Sequence, residues 1–139
     1  MKISKYISLS EVSTSQTAVR LGIDNTPTPE VIDNLKLVGA KVFDPMREAL
    51  GKPIRISSGY RSPALNKKIG GAKNSQHTTG QALDLQGMDG LKNSVIFNYI
   101  KKNLDYDQLI WEYGTDKEPA WVHVSYSATH NRKQIITVK

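Results

Sequence analysis

Two short apolar segments each carry one residue that does not belong in a core, and this constrains the fold more than anything else in the chain. Ala82-Leu83-Asp84-Leu85 sets an aspartate between leucines, and Trp121-Val122-His123-Val124 sets a histidine between valines. Side chains of a β-strand alternate between its two faces. Leu83, Leu85, Val122 and Val124 therefore enter a core, and Asp84 and His123 project the other way. His77 lies seven positions before Asp84, and Gly80 between them lets the backbone turn tightly enough for both to meet one ion. Each residue alone has an ordinary explanation, as a hydrogen-bonded histidine or a strand aspartate. Together, two imidazole nitrogens and one carboxylate oxygen, in a chain without cysteine, suit one zinc ion that keeps a fourth position open for water.

With 139 residues and 38% hydrophobic content, the chain is long enough for one domain with a real core. We read residues 1–139 as one domain, in which 1–25 form an N-terminal extension packing on a core of about 26–139. No disulfide framework is available. The first ten residues contain no apolar run of signal-peptide length, and no stretch approaches a membrane span. The expectation is a monomer made in the cytoplasm, without a membrane partner, that acts elsewhere after release. A net charge of +6 favours anionic partners, among them nucleic acid and bacterial cell-wall polymers. The basic residues are scattered, with pairs such as Lys67-Lys68 and Lys101-Lys102. They lack the dense stripe of a nucleic-acid reader, and nucleic acid is not expected as a partner.

The pattern of elements is α+β. A short helix is expected around Ser15 to Leu21. Thr28 and Pro29 mark a helix start as N-cap and first helical residue. Val31, Leu35, Val38, Val42 and Met46 continue at helical spacing to Gly51, with Pro45 kinking or splitting the run. A strand follows over 53–58, then a turn at Ser58-Gly59-Tyr60-Arg61 and a short helix from Ser62-Pro63 to Lys68. Strands are expected over 81–86, 108–113, 121–126 and 134–138. Asp89 is expected to cap a helix over about 91–104.

The run Ser75-x-His77-x-x-Gly80-x-Ala82-x-Asp84, followed by Trp121-x-His123, resembles the zinc D-alanyl-D-alanine carboxypeptidase family, which acts on peptidoglycan stems. Ser57-Ser58-Gly59-Tyr60-Arg61-Ser62-Pro63-x-Leu65-Asn66, Ile69-Gly70-Gly71-Ala72 and Gly22-Ile23-Asp24-Asn25-Thr26-Pro27 resemble its phage- and prophage-associated branch. The likeness spans roughly Ser15 to Ser127. It implies a single compact α+β domain with a small antiparallel sheet flanked by helices, the hedgehog/D,D-peptidase fold. It also implies that His77, Asp84 and His123 bind one zinc ion, and that the partner is the peptide stem of bacterial peptidoglycan. The reaction is then hydrolysis of a stem amide, as a D-Ala-D-Ala carboxypeptidase or an endolysin-type endopeptidase, including the L,D type.

Amide hydrolysis needs a group that takes a proton from water and passes it to the leaving amine. Many members of the family place a carboxylate three positions before the last histidine, and here that position is Ala120. Glu112, in the apolar segment Leu109-Ile110-Trp111-Glu112-Tyr113, is favoured over Glu118, which lies in a polar turn beside Pro119. A strand carboxylate facing solvent is the plain alternative for Glu112. Arg61, after a tight turn, can hold a substrate carboxylate or the oxyanion through two parallel hydrogen bonds, and the resemblance implies the same role. Ser75 has two readings, orienting substrate or bracing its loop. Trp111, Trp121, Tyr113 and Tyr126 are read as sheet packing rather than groove, and His130 as a solvated loop histidine. A rival reading from another class is a catalytically silent wall-binding or virion structural module that keeps the metal site, and Ala120 is its best support.

Overall fold

A computed structural model describes residues 1–139. The first two helices, α1 (Leu9–Ser13) and α2 (Gln16–Leu21), are short and capped by Ser8 and Ser15. Helix α1 was not expected from apolar spacing. Its signature is local: Ser8 accepts from the Glu11 backbone while Glu11 reaches back to the Ser8 backbone, a capping box. Ile3, Ile7 and Val12 from this opening segment are buried in the main core. The Asp44 carboxylate holds the segment in place by accepting from Ser4 Oγ at 2.8 Å and from the Lys5 backbone at 2.9 Å.

The long apolar run divides at Pro45. Helix α3 (Pro29–Val38) starts as the Thr28-Pro29 pair dictates, with Thr28 capping Val31 N–H. A π-helical turn (Gly39–Phe43) then leads into α4 (Asp44–Leu50), with Pro45 in the first turn. Proline supplies no N–H, and the wider turn takes up the mismatch without ending the helix. The α3–α4 unit buries Leu35, Val38, Val42 and Met46 completely.

Five strands form one sheet in the order β1-β2-β4-β3-β5. They are β1 (Ile54–Ser58), β2 (Ala82–Gly87), β3 (Gln108–Glu112), β4 (Trp121–Ser125) and β5 (Gln134–Val138). The expected antiparallel arrangement holds for β1–β2, β2–β4 and β3–β4, whereas β5 runs parallel to β3. The chain gains this direction by crossing the end of the sheet through residues 126–133. Helices α5 (Pro63–Lys68) and α6 (Asn93–Asn103) complete the fold, which is α+β as expected. Helix α6 does not start at Asp89, because Asp89 has φ 53° and lies in the preceding turn. Lys92 occupies the N-cap position, and the Glu118 carboxylate accepts from the Ser94 backbone at 2.6 Å. No helix is long and apolar enough to cross a membrane.

Leu83, Leu85, Val122, Val124 and Leu109 face the helices and are wholly buried. The opposite face is left for Asp84, His123, Ile110 and Glu112. A 3-10 turn (Gln76–Thr79) ends in Gly80 at φ 78°, a conformation that L side chains rarely adopt. A Cβ at Gly80 would also lie 2.7 Å from the Val31 carbonyl oxygen. Gly80→Ala should therefore lower the unfolding free energy by about 2 kcal/mol or more, measured by urea denaturation. Unchanged stability would contradict this account of the turn.

Candidate metal centre

The register of the sheet assembles the site. Asp84 pairs directly with His123 across β2 and β4, and His123 pairs with Ile110 on β3. Glu112 pairs with Trp121, two residues from His123 on the same face of β4. His77 reaches the group from the 3-10 turn, whose exit through Gly80 leads straight into β2. His77 Nε2 lies 3.3 Å from Asp84 Oδ2, and His123 Nδ1 lies 3.1 Å from Asp84 Oδ1. The two imidazoles meet edge to face at 5.2 Å. One ligand atom from each of the three residues falls within 4.8 Å of the others.

The donor set fits a cation. His77 Nδ1 lies 2.7 Å from the Gly59 carbonyl oxygen, to which it donates, so Nε2 meets Asp84 as a lone pair in the neutral ring and as a second N–H in the charged one. Lone pair against carboxylate at 3.3 Å is repulsive unless a proton or a metal ion lies between them. His123 Nε2 is buried without a partner, so this ring too gains nothing from the protein beyond its contact with Asp84. Ligand atoms about 2.0–2.2 Å from a tetrahedral zinc lie roughly 3.3–3.6 Å apart, close to the two separations seen here. A backbone carbonyl that orients the far nitrogen of a ligating histidine is the usual support of such a site. Burial, the largest single influence on Asp84, pushes its carboxyl up. Hydrogen bonds and charge from His123 and His77 outweigh it and hold the group well below the ordinary carboxylate range.

Around the three residues lies a cleft of about 640 Å³. Arg61, Ser75 and Gln76 line one side, and Ile110, Glu112, Tyr113, Trp121 and Val138 line the other. Arg61 is half-buried and donates to Ser75 Oγ at 3.3 Å, so Ser75 braces this side chain as well as capping the His77 turn. The backbone around Arg61 is pinned by Asn25, which donates to Tyr60 O and accepts from Ser62 N–H. Arg61 N–H itself donates to His77 O at 3.1 Å. Burial lowers the pKa of Arg61, and the charges of Asp84 and Glu112 oppose it. Burial raises Glu112 above its ordinary value, the Asp84 charge adds to this, and His123 and Arg61 oppose it.

All six residues singled out from sequence line this cleft. Glu118 does not; its carboxylate is engaged at the start of α6. The aromatics divide. Trp111 packs edge to face on Phe97 at 5.2 Å and joins Tyr126 against the core, as expected. Trp121 and Tyr113 instead line the cleft, contrary to the packing role expected for them. Sequence reasoning also missed Gln76 and Asp107. Gln76 Nε2 donates to Asp107 Oδ2 at 2.8 Å, and Arg132 grips the same carboxylate through two bonds of 2.8 and 2.9 Å. This network ties the His77 turn to the chain entering β5, and no local motif announces it.

Two strands of a mostly antiparallel sheet and the 3-10 turn beside them bring an aspartate and two histidines together in an open cleft, which defines a candidate metal centre. Residues 5–125 match the Peptidase M15 family, and the chain belongs to that family. Over 41 residues it is 51% identical to a zinc D-Ala-D-Ala carboxypeptidase of Streptomyces albus G. That stretch is 29% of this chain and 16% of the relative, so the match spans about one sixth of the relative's length. Titration of the metal-free protein with zinc, followed by calorimetry, is expected to show one tight site. Single changes His77→Ala, Asp84→Ala and His123→Ala should each weaken binding by about 100-fold or more. Undiminished affinity in any of the three would remove that residue from the ligand set.

Proposed function

We propose that the protein is a zinc-dependent hydrolase that cuts an amide bond in the peptide stem of bacterial peptidoglycan. The observation that carries this reading is the convergence of His77, Asp84 and His123 beside a half-buried carboxylate, in a chain of a peptidase family. His77 through Nε2, Asp84 through its carboxylate and His123 through Nδ1 would hold the ion. When bound, zinc polarises the scissile carbonyl and lowers the pKa of water.

The remaining chemistry belongs to the protein. Glu112 takes a proton from the attacking water and delivers it to the departing amine as the C–N bond breaks. Its raised pKa suits both duties, because a carboxyl that ionises closer to neutrality accepts and returns a proton more readily. Arg61 stabilises a substrate carboxylate or the negative charge that develops on the carbonyl oxygen. Ser75 keeps the guanidinium aimed into the cleft.

Endopeptidase action of the endolysin type is favoured over trimming of a terminal residue. A second cleft of about 440 Å³ beside α1, α2 and β1 shares Arg61 and Ile69 with the first, which supports a substrate extending past the metal centre. The protein would then act on the cell wall after release, in a phage or prophage setting, and as a monomer. The net charge of +6 suits an anionic wall polymer.

Zinc-loaded protein is expected to release free amino groups from purified stem peptides. Glu112→Gln should lower kcat by about 100-fold or more while zinc content stays at the wild-type level. Cell-wall binding without any release of amino groups would instead favour the silent binding module. In the metal-free protein, burial and the Asp84 charge should place the Glu112 carboxyl above the ordinary glutamate range in an NMR pH titration. A value at or below that range would contradict the desolvated setting assigned to Glu112.

A further inference from the structure

Tyr113 combines three properties that packing does not explain. Its φ is 55°, in the left-handed region where an aromatic residue is strained, and Gly114 follows at φ 73°. Such consecutive positive-φ positions are ordinarily filled by glycine, asparagine or aspartate. Its side chain is nevertheless 47% exposed, so the strain does not serve to bury it. The surrounding structure enforces the conformation: Tyr113 N–H donates to Val138 O at 2.7 Å, and a Cβ at Gly114 would lie 2.2 Å from the Glu118 carbonyl oxygen. Backbone strain that the fold maintains concentrates at functional sites.

The register says what the strained turn achieves. Trp121, Glu112 and Val138 lie side by side across β4, β3 and β5, one row beyond His123 and Ile110. Tyr113 leaves that row, and its ring stands 5.2 Å from the ring of Trp121, tilted by 56°. Arg61 enters the cleft from the β1 end of the sheet order, so the metal centre separates a cationic wall from an aromatic one. A substrate that places a carboxylate or oxyanion toward Arg61 must lay its other side along Tyr113 and Trp121.

We propose that Tyr113 and Trp121 form a subsite for an aliphatic side chain of the stem peptide, on the far side of the scissile bond from the group that Arg61 holds. This rests on the hydrolase reading above. Two aromatic faces and the flanking Val138 and Ile110 offer apolar surface to methylene groups, beside the Glu112 carboxylate that shares their row. Tyr113 is thus a specificity-determining residue, and Trp121 supports its ring.

The test uses zinc-loaded full-length protein and a series of stem peptides that differ at one position, carrying glycine, alanine or a long aliphatic side chain. Wild type is expected to favour the aliphatic peptide over the glycine peptide by about tenfold or more in kcat/KM. Tyr113→Gly should level that preference, chiefly by raising KM for the aliphatic peptide, and should leave Tm unchanged or raised because the turn is relieved of strain. Tyr113→Phe should retain the preference. An active wild type whose preference survives in Tyr113→Gly overturns the subsite, and so does a marked fall in Tm, which would make the ring structural. If wild type cleaves none of the peptides, the hydrolase reading fails and the subsite fails with it.

Discussion

The pairing that sets Asp84 opposite His123 governs everything else in the molecule. Strand side chains alternate with a period of two, so a slip of one residue would turn Asp84 and His123 into the core and expose Leu83, Leu85, Val122 and Val124. Burial of those four residues fixes the register, because each is wholly removed from solvent. The same alternation that builds the core therefore places two candidate metal ligands face to face on the opposite side of the sheet. Hydrophobic burial, which has no direction of its own, acquires one through the pleat of the sheet.

The third candidate ligand lacks that security, since His77 comes from a turn. The structure compensates with polar contacts of specific geometry. Gly59 O fixes the ring, Ser75 caps the turn, and Gln76 anchors it to Asp107. Asp107 is buried and held by Arg132, and this pairing keeps its carboxyl well below the ordinary range, with burial opposing. The Arg61 loop is tied to the same turn through Arg61 N–H and to the N-terminal region through Asn25. Loops can carry precise chemistry when rigid elements and satisfied backbone groups hold them.

The sequence revealed the parts of this design that depend on local chemistry. Alternation around Asp84 and His123 located two strands and their faces, and Thr28-Pro29 located the start of α3. The carboxylate at Glu112 was legible as a charged group inside an apolar strand segment, while alternation alone left its face open. Contacts between distant segments were not legible. Nothing near Asp107 signals that it will receive both Gln76 and Arg132, and nothing near Asn25 signals its bonds around Arg61. The parallel direction of β5 depends on how residues 126–133 cross the sheet end, which local pattern does not encode. Trp111, Tyr113 and Trp121 look alike as strand aromatics. The turn after Glu112, closed against Glu118 and Ala120, breaks the alternation at Tyr113 and sends it to the cleft.

The electrostatic logic is one of unmet demand. The Asp84 carboxylate meets an imidazole nitrogen on each side, His77 Nε2 at 3.3 Å and His123 Nδ1 at 3.1 Å, and each contact needs a proton or a cation between the pair. Such an arrangement is costly without one. The decisive measurement is the crystal structure of the zinc-saturated protein, with the ion located by its anomalous scattering at the zinc edge. The account predicts a single strong peak about 2.0–2.2 Å from His77 Nε2, an Asp84 carboxylate oxygen and His123 Nδ1. A peak elsewhere, or the three side chains drawn apart while zinc is in excess, would contradict it.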